Sequence, residues 1–475
     1  VGWHSRPQIA RVPWTAAALA FPLAAHAAET PNAALTFDEL RPTLTSSDGR
    51  FSVSLRARLQ IDAGGFDQTA DVENVTPLRD VEFKHLDSGA LVRRAYLGIE
   101  GRAFRDLWYE FRTDFGGEGF RIAAPYVQLA RVSYNARLAG GSLLRLTAGQ
   151  LKPIYTFYDA TSSASLSFLE RPAVVNVATS AFGGGTGRVG AELTFQESDA
   201  FRSGDNLVVS AAFTGHIASR RPSEIPSDAT GKGTHVLGRI AYRLWSEGAS
   251  NVQIGGSLAR KLSVGHELAS GAAHTVTLED RPEIRVDGNR LVSTGPLPAK
   301  GGTAWGLEAS ANLANLYFAG ELYEFGIERD TACVGCAPGA DPSFSGWYAE
   351  GSWILTGEAK TYQPNATNNG MATYANPRVA APFARGGWGA WELAARYSTL
   401  DLNWRAGAAG TTCAPAACIR GGEQKIWSIG LNWYLNDNFR LMLDWMFVDV
   451  DKLNGSGAQI GQSFRVIGTR LQFTN

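Results

Sequence analysis

Residues 50–62, RFSVSLRARLQID, alternate almost without interruption. Val53, Leu55, Ala57, Leu59 and Ile61 share one parity, and Ser54, Arg56, Arg58, Gln60 and Asp62 share the other. The same period returns along the chain. Leu107, Tyr109 and Phe111 oppose Trp108, Glu110, Arg112 and Asp114; Leu144, Leu146 and Ala148 oppose Arg145 and Thr147. Val189, Ala191, Leu193 and Phe195 oppose Arg188, Glu192 and Thr194, and Leu316, Phe318 and Leu322 oppose Tyr317, Glu321 and Tyr323. Near the C-terminus, Phe439, Leu441, Leu443, Trp445 and Phe447 oppose Arg440 and Asp444. A period of two predicts strands with one apolar and one polar face. Gly-, Asp- and Asn-rich turns, such as Asn436-Asp437-Asn438, separate them.

An all-β chain of this kind could form a sandwich or propeller with its apolar faces inward. Three features favour a transmembrane antiparallel β-barrel. The runs are about nine to eleven residues long, enough to cross a bilayer when tilted. Aromatics sit near the ends of the apolar faces, as in interfacial girdles. The polar faces carry charge along their length, as a wet lumen permits. A closed barrel is also the one sheet without an unpaired edge in lipid. Roughly 430 residues at about 25–30 per strand, connections included, predict about sixteen strands. An arginine facing lipid at mid-bilayer costs about 2–4 kcal/mol, so Arg56 and Arg58 are expected in the lumen.

The first 27 residues have the layout of a secretory signal peptide. Arg6 and Arg11 precede the mostly apolar VPWTAAALAFPLAAHA, which closes on Ala25-His26-Ala27. The remainder, 28–475, is expected to be the barrel after a short periplasmic segment reaching about residue 48. No run of eighteen apolar residues exists for a spanning helix. The formal net charge of -1 argues against a nucleic-acid partner. Four cysteines form two local pairs, Cys333/Cys336 and Cys413/Cys418. The second spacing is long for a zinc knuckle and the exported compartment is oxidising, so two loop disulfides are expected and no metal.

GTRLQFTN at the C-terminus spaces Gly468, Leu471 and Phe473 as barrel-assembly signals do, two residues short of the end. RARLQID (56–62), RRAYLGIEG (93–101), GQLKP (149–153), ATSSASLSFLERP (160–172) and RPEIRVDGNRLVSTG (281–295) resemble the phosphate-selective porins O and P. GWYAEGSWILTGEAKTY (346–362), GGWGAWELAARYSTLDLN (386–403) and GLNWYLNDNFRLML (430–443) are similar to the later hairpins of that family. The resemblance implies a homotrimer of sixteen-stranded barrels among outer-membrane lipids, with a third loop folded into the lumen. Small anions, phosphate and pyrophosphate among them, would pass by diffusion without enzymatic chemistry or a cofactor. It implies a constriction built from Arg58, Arg94 and Arg171, and an arginine ladder from Arg281, Arg285 and Arg290. Arg56, Arg112, Lys152 and Arg188 are further lumenal candidates, whereas parity with Leu97 and Ile99 puts Arg93 at the interface.

Departures from the family pattern thin the cationic lining. Asp159 stands where the inward loop opens on a lysine, Ala123 or Ala124 replaces an acidic residue before YVQL, and Ser54 and Trp108 replace lysines. Guanidinium suits phosphate because its donors match two oxygens at once. Against that, lumenal arginines could pair with Glu110, Asp114, Glu192 or Glu321 and brace the wall. A general or sugar-permeable porin is the second reading, with Trp347, Tyr348, Trp388, Trp391 and Trp433 as a track rather than a girdle. A barrel lipase is disfavoured, since it needs a Ser-His-Asp/Asn set and no lipid-facing strand position carries histidine. GGGTG (183–187) lacks the Lys-Ser/Thr of a phosphate loop, and His216 and His235 are expected in wall or loop.

Overall fold

The computed structural model describes residues 33–38, 40–68, 84–117, 125–138, 140–218, 233–264, 274–331, 339–365, 370–414 and 416–475. The proposed signal peptide, Cys333 with Cys336, and Ala123 with Ala124 lie outside the described residues.

The alternating runs become sixteen wall strands. They are β1 Ser52–Asp67, β2 Gly89–Ala103, β3 Leu107–Asp114, β4 Tyr126–Arg137, β5 Leu143–Leu151, β6 Arg188–Ser198, β7 Asn206–Ile217 and β8 Thr234–Glu247. Then follow β9 Ser250–Ser263, β10 Leu297–Leu313, β11 Leu316–Arg329, β12 Ser343–Ile354, β13 Ala390–Trp404, β14 Ile419–Tyr434, β15 Phe439–Asp451 and β16 Gln462–Thr474. Each pairs antiparallel with its neighbour in sequence. β16 returns to β1, from Arg465 opposite Asp67 to Thr474 opposite Arg58, and closes the barrel. No wall strand is left with an open edge, which a membrane requires. A hairpin, Ala34–Asp38 with Arg41–Thr45, pairs antiparallel with the first residues of β1, Thr45 opposite Ser52.

Burial follows the predicted parity. Leu55, Leu59, Leu97 and Ile99 are exposed outside, while Gln60, Asp62 and Arg94 are buried inside. On β15 and β16 the outer face carries Leu441, Leu443, Trp445, Ile467 and Leu471 over a lumenal face of Arg440, Asp444, Arg470 and Gln472. Arg93 departs from its expectation. Gln60 faces Arg94 and Ile61 faces Val92, so Arg93 is the extra residue of a β-bulge. The bulge breaks the alternation, and both Arg93 and Arg94 are buried on the lumenal side.

Three segments fill the lumen. The connection after β5 carries α1 (Phe157–Ala160) and α2 (Ala173–Ala181). The connection after β9 carries the small pair Glu279–Asp280 with Val292–Ser293. Both enter from the long-loop end, which in such barrels is extracellular. The third comes from the opposite end, where the short turns and the C-terminus lie. Between β12 and β13 the chain turns inward as the pair Thr361–Gln363 with Thr373–Ala375. The segment 346–362, similar to the later hairpins of the family, thus ends in a periplasmic insert. The apolar core sits between wall and inserts, with Tyr155, Phe157, Phe182, Val174, Ile284 and Tyr374 among its members. At the long-loop end Cys413 and Cys418 are disulfide-bonded.

Candidate anion constriction

Carboxylates of the wall strands hold the first inward loop. Glu192 accepts from Ile154 N–H at 2.7 Å, and Glu321 from Phe157 and Tyr158 N–H at 2.9 and 3.1 Å. Asp444 accepts from Leu169 N–H at 2.8 Å, and Glu392 from the Ser167 hydroxyl at 3.0 Å. Helix α2 starts after Pro172 with Val174, Val175 and Val177, which are not strong helix formers. Burial of those valines and a hydrogen bond from Ala173 N–H to Glu283, 2.9 Å, hold its first turn. The loop ends where Gly183 takes φ +91° directly against His235, at a spot where a Cβ would stand 2.4 Å from the imidazole. The GGGTG stretch is therefore a loop end, and His235 is a buried wall residue. His216 is an exposed residue near the end of β7.

Between this loop, β1–β3 and the second inward segment lies a cavity of about 340 Å³. Arg56, Arg58, Arg93, Arg94, Arg112, Lys152, Arg171, Arg285 and Arg290 line it, nine cations against Asp159, Glu170, Glu279 and Asp280. All three proposed constriction residues reach it. Arg58 donates to the Ser163 and Ser162 hydroxyls at 2.7 and 3.1 Å, and its guanidinium lies 5.5 Å from the Tyr96 ring centre. It has no carboxylate within ion-pair distance among the described residues. Arg94 donates to Gln60 at 2.8 Å. Arg171 also borders the cavity, but its guanidinium donates to the Tyr158 and Thr161 carbonyls, both at 3.0 Å, and braces the loop.

The ladder is only partly as expected. Arg285 and Arg290 border the cavity; Arg281 does not, and donates to Gly288 of its own loop at 3.2 Å. Of the further candidates, Arg56, Arg112 and Lys152 are in the lining. Arg188 faces inward as its parity requires, yet the loop covers it, and it donates to Gly184 at 3.1 Å and Ser180 at 2.8 Å. Asp159 is placed against Lys152, 3.3 Å, and Arg171, 3.8 Å, and accepts from Gly185 N–H at 3.1 Å. The lysine missing at 159 is thus offset by Lys152, and Asp159 holds two cations in position. Of the four carboxylates named as wall braces, Glu110 does pair with arginine in this way, taking Arg131 at 2.7 Å and Arg112 at 3.4 Å. Three residues without strand periodicity escape sequence reasoning: Ser162, Ser163 and Glu170.

The aromatics divide by face. Trp347, Trp388 and Trp427 are exposed outside; Tyr348 is lumenal but buried, donating to Glu321 at 2.8 Å. Trp391 stacks on Trp433 with centroids 5.1 Å apart. Trp391 and Trp433 stand at the short-turn ends of β13 and β14, as a girdle requires.

An apolar exterior, a closed sixteen-stranded wall and a charged lumen narrowed by inward loops define the class as an outer-membrane porin, a channel. The profile of the phosphate-selective porin O and P family matches residues 53–474, and the chain belongs to that family. Its place is the outer membrane of a Gram-negative bacterium. The chain is 26% identical over 409 residues to an uncharacterized protein of Caulobacter vibrioides, covering 86% of this chain and 70% of that one. It is 24% identical over 447 residues to Porin O of Pseudomonas aeruginosa, covering 90% of each. Among solved structures, OmpT of Vibrio cholerae superimposes with a TM-score of 0.49 at 10% identity, covering 90% of this chain and 98% of that one. The outer-membrane channel DcaP of Acinetobacter baumannii gives 0.46 at 12% identity, covering 91% and 99%.

Proposed function

We propose that this porin passes small anions by diffusion and prefers phosphate and pyrophosphate. The observation that carries the reading is the constriction lining, nine cations to four carboxylates, with Arg58 lacking a carboxylate partner among the described residues. Rings of cationic side chains replace part of an anion's hydration shell and repel cations. Serine hydroxyls beside Arg58 add donors suited to phosphate oxygens. The relative named Porin O agrees with this class. A sugar-permeable pore would need aromatic faces open to the lumen, whereas the described tryptophans of β10–β15 are mostly outside or at the rims.

We also propose a homotrimer. From Ser52 to Ile217 the one tryptophan is Trp108, and it faces the lumen; Trp245, Trp305, Trp347, Trp353, Trp427 and Trp445 are exposed on later strands. Tryptophan favours the lipid interface, so β1–β7 form the side suited to other protomers. The decisive measurement is reversal potential in a KCl gradient across a planar bilayer, followed by titration of phosphate into chloride solution. Anion selectivity with phosphate block is expected; a non-selective pore insensitive to phosphate favours the general-porin alternative. Chemical cross-linking in membranes reports the trimer.

A further inference from the structure

One carboxylate stands among four guanidinium groups at the cavity edge. Glu170 is buried and accepts from Arg93 Nε at 2.5 Å and Nη2 at 3.2 Å. Arg470 Nη2 lies 3.1 Å away, Arg285 Nε 3.8 Å and Arg94 Nη1 3.9 Å. Arg470 has its own carboxylate, Asp62, bound at 2.6 and 2.7 Å. Glu170 therefore faces more positive charge than it balances. It also lines the cavity, so its carboxylate shares arginines with any anion that enters. The same residue is fixed through its backbone: its carbonyl accepts from Arg396 at 3.0 Å, and that of Leu169 accepts from Arg470 at 2.7 Å. The side chain is not needed for those contacts.

We propose that Glu170 is a resident anion that competes with the permeating one, and that this competition sets the dwell time of phosphate in the constriction. The inference rests on the anion-porin reading. A pore lined by unopposed arginines would hold a dianion too long to conduct it, because conduction needs binding weak enough for release. A carboxylate built into the lining lowers the local field without closing the path. It also presents two oxygens to Arg93, as phosphate does, so the arginines exchange one set of acceptors for another as the ion passes.

The test is E170Q in planar bilayers. The amide oxygen still accepts from Arg93, but the negative charge is gone. One unit charge removed about 6 Å from the ion, at an effective dielectric between that of a protein surface and water, is worth about tenfold in affinity. Half-block of chloride current by inorganic phosphate should therefore occur at about tenfold lower concentration, with longer blocked dwell times and unchanged chloride-over-potassium preference or a stronger one. E170D, which keeps the charge, should remain close to the parent in half-block. If E170Q leaves half-block unchanged, or weakens it while selectivity falls, Glu170 is a loop pin and the proposal is overturned. Heat-modifiable migration of each variant confirms a folded barrel. Should the parent protein prove non-selective, the anion-porin reading itself fails; a selective parent with an unaltered E170Q isolates the failure to Glu170.

Discussion

Replacing Arg58 with glutamine removes a cavity-lining cation that no described carboxylate balances. The side chain spans from β1 to the Ser162 and Ser163 hydroxyls of the inward loop, so both wall and loop present its charge to the same cavity. An anion about 5 Å from that guanidinium, at an effective dielectric of roughly 20–60, is stabilised by about 1–3 kcal/mol. The half-blocking phosphate concentration should therefore rise roughly 5- to 150-fold in R58Q, at 1.4 kcal/mol per factor of ten. Reversal potential in a KCl gradient should move towards zero. Two controls separate charge from structure. Ser163→Ala removes a loop hydrogen bond but no charge, and should leave the reversal potential near its original value. Arg105→Gln changes an exposed cation in the turn between β2 and β3, and should do the same. An R58Q channel with unchanged selectivity and unchanged block would refute the reasoning, and would leave Arg58 as a tether between wall and loop.

Asp159→Lys is expected to destabilise the inward loop rather than tighten phosphate binding, because Lys152 and Arg171 already flank that position; conductance noise and protease sensitivity of the loop measure it. Arg239 pairs twice with Glu308, at 2.9 and 2.7 Å, and donates to the Met371 and Ala372 carbonyls of the periplasmic insert at 3.0 and 2.9 Å. Arg239→Met strands a buried carboxylate, at a cost of about 3–5 kcal/mol, and should lower the unfolding temperature and raise single-channel conductance as the insert loosens. Replacing Cys413 and Cys418 together by serine opens only a small ring, so the barrel's heat-modifiability should be preserved, with less than about 3 kcal/mol lost in denaturant titration.

Alternation is a local property, and the wall was legible because every strand repeats it. It fails where one residue is inserted. At Arg93 the bulge moves into the lumen a side chain that parity places at the interface, and no neighbouring residue type announces the insertion. Loops carry no period at all. Sequence similarity to a hairpin does not say that a segment such as Thr361–Gln363 with Thr373–Ala375 folds back into the barrel. Arg188 illustrates the converse: its face is as its parity requires, yet loop residues Ser180 and Gly184 cover it and occupy its donors. The family resemblance identified Arg58, Arg94 and Arg171 as one group; what it could not separate is that Arg58 presents its charge to the cavity while Arg171 donates to the Tyr158 and Thr161 carbonyls.

The chain is almost neutral, with 44 Lys and Arg against 45 Asp and Glu, and its lumen is rich in acids. An anion path through such a lumen requires the two signs to be used differently. Glu192, Glu321, Glu392, Asp444 and Glu283 accept hydrogen bonds from backbone or hydroxyl donors of the inward loop, and none of the five borders the cavity. Those acids pull the loop across the lumen, and the loop in turn carries Arg171, Ser162 and Ser163 to the cavity opposite Arg58. Acidic wall and cationic constriction are thus parts of one arrangement. Neutralising a wall acid such as Glu321 should weaken anion selectivity, although the substitution makes the lumen more positive, because the loop that completes the constriction loses one of the two oxygens that hold Phe157 and Tyr158 N–H. A purely additive field would give the opposite sign. The direction in which reversal potential moves in Glu321→Gln therefore distinguishes a constriction built by loop placement from one set by total lumenal charge.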